Sequence, residues 1–338
     1  MINKLDDTIV KERSMGLCSD ALAPTKQPKY LNTVVKIETT LDPHKLLASL
    51  QQIEDALGRT RPKRYAARTI DLDILMYDNL VIDTDDLTIP HPQMHLRDFV
   101  MYGMMDIAPG VTHPLIGERM LELWQRLNGH SFMLSEDTPK LISVAGIIGI
   151  GKTTLAEALS KQLDCPVIRE AYDTNPYIAD VYAGRTDLAL KSQLYFLNSR
   201  AEQLTPDKLE PNKPVVSDYI FDKDAIFARK TLTEDEFAIY KQQYKNVSEN
   251  IVSPSLVIHL VDSSWKALER IRFRNREYEQ GIEEKFLAEL SEEYDKLLAY
   301  NEFKICPVIT LNTSSFDSRI DEHVRRLANQ VRRYIWTS

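Results

Sequence analysis

Cysteine is scarce in this 338-residue chain, and the three present, Cys18, Cys165 and Cys306, lie far apart with no CxxC pair. That spacing excludes a disulfide framework and a zinc knuckle and fits reduced thiols. Long apolar runs are missing as well. The first thirty residues hold none of signal-peptide length, and no later stretch reads as a membrane span, so a cytoplasmic location without a membrane partner is the expectation. Nor is there an excess of positive charge. A formal net charge of -8 repels a phosphate polyanion on average and argues against a general nucleic-acid binder. Any phosphate chemistry must therefore rest on local Arg and Lys clusters together with a divalent cation. Internal repeats and low-complexity tracts are absent. What remains, 43% hydrophobic and 27% charged residues, is the composition of a globular protein, and the length suggests two domains.

The polar segment "HSFMLSEDTPK" (130–140) precedes an abrupt apolar strand. It separates a first domain at 1–130 from a second at 140–338, with 131–139 as the linker. Before it, residues 31–40 alternate like a strand, and 42–58 read as a helix with Asp42 as N-cap, Pro43 in the first turn and Gly58 just past the end. A strand starting near Ile70 and running on to a turn at Asp78–Asn79 is expected next, then helices around 96–107 and 118–128. Strands and helices without regular alternation suggest an α+β sandwich. After the linker the rhythm changes. Buried strands at 141–146, 166–170, 214–218, 255–262 and 307–312 are separated by helices, two of them at 151–163 and 187–204. This is the α/β pattern of a parallel sheet covered on both faces.

Two stretches carry chemistry. In "RYAARTIDLDIL" (64–75) two arginines precede Asp71 and Asp73. In a strand those carboxylates project side by side, with Ile70, Leu72 and Ile74 on the opposite face. Neighbouring carboxylates repel unless a cation sits between them, so the pair asks for a metal and the arginines for phosphate. In the second domain "GIIGIGKTT" fits G-x-x-x-x-G-K-[ST] with Gly146, Gly151, Lys152 and Thr153, after a strand and at the start of a helix. Loop amides, including those at Gly149 and Thr154, would cradle the phosphates of ATP. Lys152 would reach the β/γ oxygens and Thr153 would hold Mg²⁺. A chance Gly-rich turn is the plain alternative. Glu170, at the next strand end, is either a proton acceptor for an attacking hydroxyl or an ordinary surface glutamate. The four arginines of "RIRFRNREYEQG" (270–281) are either a lid over transferring phosphates or a solvated helix face.

Residues 141–338 resemble the bacterial purine deoxynucleoside kinases, through the phosphate loop, "REAYDTNPYIADVY", "SQLYFLNSRAEQL", "VVSDYIFDKDAIFA" and the lid. The resemblance implies a P-loop kinase fold with Glu170 as general base for the 5′-hydroxyl. It implies Gln193, Arg200 and Asp224 on the base edge, Glu279 on the sugar 3′-hydroxyl, Arg274 and Arg276 in the lid, and Asp218 near the metal. A homodimer is compatible with it. Many members follow that acid with Arg where this chain has Tyr219, and Lys223, a turn later, is a candidate to replace the charge.

Residues 9–128 resemble 6-hydroxymethyl-7,8-dihydropterin pyrophosphokinases, through the arginine and aspartate stretch supported by "QPKYLN", "GRTR", "IPH" and "RDF". This implies a ferredoxin-like α+β sandwich and transfer of diphosphate from ATP to a pterin alcohol. By the resemblance Asp71 and Asp73 bridge two Mg²⁺ ions. Arg59, Arg68 and His91 contact phosphates, with Arg61 and Arg97 in mobile loops. Asn32 binds the pterin amide edge, and Tyr65 and Phe99 flank the ring. Tyr65 and Phe99 also read as core, and His91 with His95 as a zinc pair, although Pro90 and Pro92 break the helix such a pair needs and no HExxH glutamate is present. Family members begin with a Gly-Ser-Asn strand-loop and a helix that have no counterpart here, and "MGLCSDALAP" (15–24) matches the pterin loop weakly. The expectation is a start codon further upstream; an impaired first domain is the alternative. The sequence thus points to a bifunctional enzyme, one half releasing AMP and the other ADP. Its rivals are a lone kinase with a regulatory or structural first half, and a P-loop switch that binds a partner protein.

Overall fold

The computed structural model describes residues 1–5, 7–22, 27–58, 69–299 and 303–336. These divide into two compact units, Met1–Met133 and Leu134–Trp336.

In the first unit, β1 (Thr8–Arg13), β2 (Leu17–Ser19), β3 (Tyr30–Asn32) and β4 (Val35–Thr39) lead into helix α1 (Pro43–Ala56). Then follow β5 (Ile82–Asp83), β6 (Thr88–Ile89), α2 (Asp98–Ile107) and α3 (Met120–Arg126). The described strands pair as three two-stranded antiparallel sheets: β1 with β4, β2 with β3, and β5 with β6. The Asp42 side chain caps α1 by accepting from Lys45 N at 3.0 Å, with Pro43 in the first turn. This is the arrangement that Asp-Pro ahead of an apolar repeat encodes. Leu46, Leu50 and Ile53 make one buried stripe of α1, packed against Ile37, Leu41, Leu72, Ile74 and Tyr77. A second cluster joins Val34, Met94, Met101, Met104, Met120 and Leu123 around α2 and α3.

The strand expected from Ile70 onward is not formed. Residues 70–77 pair with no other described strand. The alternation survives all the same: Asp71 and Asp73 are exposed, while Leu72 and Ile74 turn into the α1 cluster. Packing on a helix holds the period of two here, without a paired strand among the described residues.

The second unit contains β7 (Lys140–Ala145), α4 (Lys152–Leu163), β8 (Val167–Ile168), α5 (Ile178–Tyr182), α6 (Ala189–Gln203), β9 (Pro214–Ser217), α7 (Lys223–Thr231) and α8 (Glu234–Ser248). It continues with β10 (Leu256–Val261), α9 (Ser264–Arg274), α10 (Glu284–Leu297), β11 (Val308–Asn312) and α11 (Asp321–Ile335). The strands form one parallel sheet in the order β11-β10-β7-β9-β8. Every residue of β7 is buried, as a strand covered on both faces requires. Leaving β7 the chain moves outward to β8, then returns past β7 toward β11. Right-handed crossovers in the two directions place helices on opposite faces. The reversal opens a crevice beyond the carboxyl ends of β7 and β9, where such sheets bind ligands. Leu155 and Leu159 anchor α4 with no exposure, each burial stabilising the unit by about 1.5–3 kcal/mol. Among the described residues no helix is long and apolar enough to cross a membrane.

Candidate active sites

The loop between β7 and α4 is shaped by its glycines. Gly146 has φ +136° and a Cβ there would lie 2.7 Å from Leu260 O. Gly149 has φ +78° and a Cβ would lie 2.6 Å from Ala267 O. Both conformations disfavour side chains, and the loop thereby nests against β10 and α9. The loop and the start of α4 follow the carboxyl end of β7, where backbone amides at a helix N-terminus make a ready anion site. Lys152 Nζ folds back to donate to Ile147 O at 2.8 Å. Burial first, then the Lys223 ammonium, pulls its pKa down to about 7 against the opposing pull of Glu170 and Asp218. Thr153 and Thr154 occupy the first turn of α4. The Thr153 hydroxyl donates to Asp218 Oδ2 at 2.7 Å, and Asp218 Oδ1 accepts from Glu170 N at 2.8 Å. A hydroxyl beside a carboxylate at the mouth of a phosphate loop is a hard-oxygen pair that fits Mg²⁺.

Behind the loop stands a buried charged cluster. Arg200 on α6 donates from Nε to Glu170 Oε1 at 3.0 Å and also pairs with Asp224, which has no exposure. Gln193, two turns earlier on the same helix face, donates to Asp224 Oδ1 at 2.7 Å. Lys223 Nζ donates to Glu170 Oε2 at 2.6 Å. Burial alone would raise the Glu170 carboxyl, but Arg200 and Lys223 together outweigh it and hold the group below the usual carboxylate range. A cation thus reaches Glu170 from Lys223, on the helix that follows Tyr219. Tyr219 itself is buried, and its hydroxyl donates to Gln203 Oε1 at 2.7 Å.

The four arginines of 270–276, of which the resemblance singles out Arg274 and Arg276, divide into two kinds by their partners. Arg270 bonds Asp262 at 3.1 Å, Thr313 Oγ1 at 3.0 Å and Ile150 O at 3.4 Å, and Arg272 holds Ile282 O at 3.0 Å. These two tie α9 to the strand ends and to the segment that follows it. Arg274 Nε lies 2.8 Å from the buried Glu279, and Arg276, 3.5 Å from the same carboxyl, covers the Tyr172 ring at 4.2 Å. Tyr182 belongs here too. Its ring centroid is 5.8 Å from that of Tyr278; the residue as a whole is 37% exposed, but crowding around its hydroxyl, then Glu279 and Glu170, raise its phenol. Neither Tyr172 nor Tyr182 was singled out from the sequence. Both lie in the "REAYDTNPYIADVY" stretch, but only the fold brings Tyr172 to Arg276 and Tyr182 to Glu279.

In the first unit Arg59, Arg61, Tyr65 and Arg68 lie outside the described residues. Asp73 Oδ2 is 3.6 Å from Arg97 and 4.0 Å from His91 Nε2. Burial first, then Arg97, lowers the His91 pKa to about 4, with Asp71 pulling the other way. The neutral ring accepts from Gln93 N at 3.1 Å through Nδ1, and His91 N donates to Leu75 O at 2.8 Å. His91 is thus tied to the aspartate segment. His95 is buried against His113, ring to ring at 6.0 Å. Asn32 Nδ2 donates to Ser19 Oγ at 2.8 Å across the β2–β3 pair. Phe99 is half-buried on the α2–α3 cluster. Among the described residues no group of three or more His, Cys, Asp and Glu could enclose a metal. Two adjacent carboxylates nevertheless suit Mg²⁺ arriving on a nucleotide, since that ion takes one or two carboxylates and fills its shell with phosphate and water.

The profile of the deoxynucleoside kinase family matches residues 142–336, and that of the 7,8-dihydro-6-hydroxymethylpterin-pyrophosphokinases matches residues 1–109. The 2-amino-4-hydroxy-6-hydroxymethyldihydropteridine pyrophosphokinase of Haemophilus influenzae is 46% identical over 113 residues, covering 33% of this chain and 71% of that protein. The deoxyguanosine kinase of Bacillus subtilis is 33% identical over 205 residues, covering 56% of this chain and 99% of that protein. A solved structure of deoxyadenosine kinase from M. mycoides with bound dATP is 26% identical with a TM-score of 0.50, over 56% of this chain and 98% of that one. The chain therefore belongs to two phosphotransferase families at once, the pterin pyrophosphokinases through its first unit and the deoxynucleoside kinases through its second.

Proposed function

We propose that the chain is a bifunctional Mg²⁺- and ATP-dependent enzyme whose two activities reside in residues 1–130 and 140–338, joined by the linker 131–139. The second site phosphorylates the 5′-hydroxyl of a purine deoxynucleoside and releases ADP. The observation that carries this reading is the buried cluster behind the phosphate loop, in which one guanidinium, Arg200, serves both Glu170 and Asp224. Asp224 and Gln193 offer a carboxylate and an amide to the hydrogen-bonding edge of a base, and Arg200 links that edge to Glu170. Held as an anion at neutral pH, Glu170 accepts the 5′-hydroxyl proton. Lys152 and the loop amides position the triphosphate, Arg274 and Arg276 stabilise charge on the transferring group, and Glu279 takes the sugar 3′-hydroxyl. Magnesium, held by Thr153 and Asp218, would neutralise phosphate charge. The purine preference is supported by the deoxyguanosine and deoxyadenosine kinases among the relatives.

The first site transfers diphosphate from ATP to 6-hydroxymethyl-7,8-dihydropterin, a step of folate synthesis, and releases AMP. Asp71 and Asp73 would hold magnesium, whose charge offsets that of the triphosphate and leaving group. Arg59, Arg61, Arg68 and His91 contact ATP, and Asn32, Tyr65, Phe99 and Arg97 hold the pterin. The acidic net charge speaks against a nucleic-acid partner, and the cytoplasm is the location we infer. Quantifying nucleotide products for each acceptor tests the reading. AMP is expected only with the pterin alcohol and ADP only with a deoxynucleoside; ATP hydrolysis independent of either acceptor would contradict it.

A further inference from the structure

Glu54 lies on α1 and is only 2% exposed. Its Oε1 accepts a hydrogen bond from Leu72 N at 2.7 Å, and Leu72 is the residue between Asp71 and Asp73. No ladder among the described residues fixes this segment. Beside Asp71 its position is set by Leu72 and Ile74 in the apolar cluster of α1 and by the Glu54 bond from the same helix; further along, Leu75 O accepts from His91 N and Tyr77 donates to Leu41 O. Apolar contact is non-directional and fixes depth but not orientation. A hydrogen bond to Leu72 N is directional. It also orients a planar peptide that includes the Asp71 Cα, and so aims the two carboxylates.

We propose that Glu54 is a positioning residue for the Asp71–Asp73 pair, setting the separation and direction of the carboxylates so that both reach magnesium bound to the nucleotide. It touches neither metal nor substrate; it acts through the peptide between its two clients. The inference rests on the reading that Asp71 and Asp73 hold magnesium, and the test separates the two. In the full chain carrying Lys152→Ala to silence the second nucleotide site, Mn²⁺ binding is measured by electron paramagnetic resonance with a non-hydrolysable ATP analogue. Glu54→Gln, which keeps an acceptor oxygen at the same reach, is expected to bind Mn²⁺ like the parent. Glu54→Asp keeps a carboxyl but withdraws it by one methylene, and is expected to weaken binding about tenfold or more. An Asp variant that binds like the parent, or a Gln variant weakened as much as the Asp variant, would overturn the proposal. Mn²⁺ binding undisturbed in Asp71→Asn would instead remove the two-carboxylate reading beneath it, whatever the Glu54 variants do.

Discussion

At the scale of single residues, the second site depends on charges taken out of water and then paired. Lys223 is the sharpest case. Its side chain is 6% exposed and its partner Glu170 is 16% exposed, so removing the ammonium leaves a buried carboxylate with Arg200 alone. Breaking such a pair costs on the order of 3 kcal/mol. We expect Lys223→Met to show that loss in denaturant unfolding of the second unit and to move the acid limb of kinase kcat/KM to higher pH, with Lys223→Arg restoring most of both. A limb unchanged in Lys223→Met would mean that Lys223 does not tune Glu170. His259 offers a pH test away from the chemistry. Buried on β10 beside Tyr294, it has its pKa lowered by burial to about 4. The unfolded chain takes up the proton near pH 6.5 and the folded chain only near 4, so stability present above pH 6.5 is lost as pH falls through that window. The loss is about 3 kcal/mol. His259→Leu is expected to flatten the fall in Tm between pH 6.5 and 4; an unaltered slope would show that other groups carry it.

At the scale of elements, α1 and the lid do the positioning. Leu50 is 6% exposed at the centre of the α1 stripe that holds Leu72 and Ile74. Leu50→Ala is expected to cost the first unit about 2–5 kcal/mol and to lower AMP production while leaving ADP production alone, measured by melting and by product assay. In the lid, Arg274→Ala is expected to lower kinase kcat about 10²-fold with little change in the KM for deoxynucleoside, whereas Glu279→Gln raises that KM. The phosphate loop, α1 with its cap and the five parallel strands were legible in the sequence because each is written locally, as a motif between the right flanks or as an unbroken apolar run. The segment at 70–77 kept its alternation but lost its ladder, because pairing depends on a neighbour that periodicity does not name. Glu54, Tyr172 and Tyr182 carried no local signal either. A glutamate on one helix, a tyrosine in a loop and another at the end of α5 become site residues only when the fold brings Leu72, Arg276 and Glu279 to them. Lys223 was visible as a candidate, and its bond to Glu170 depends on where α7 sets the side chain.

At the scale of the whole molecule, each unit has its own apolar core and its own charged site, one built on α1 and the Asp71–Asp73 segment, the other on the crevice of a parallel sheet. Each constellation is described from residues of its own unit, and we expect the two reactions to fail separately. The direct measurement is the nucleotide product of full-length Asp71→Asn and Lys152→Ala, each supplied with ATP, the pterin alcohol and a purine deoxynucleoside. We predict that Asp71→Asn forms ADP at the parent rate and no AMP, and that Lys152→Ala forms AMP and no ADP. Loss of both products in either variant would contradict two independent sites.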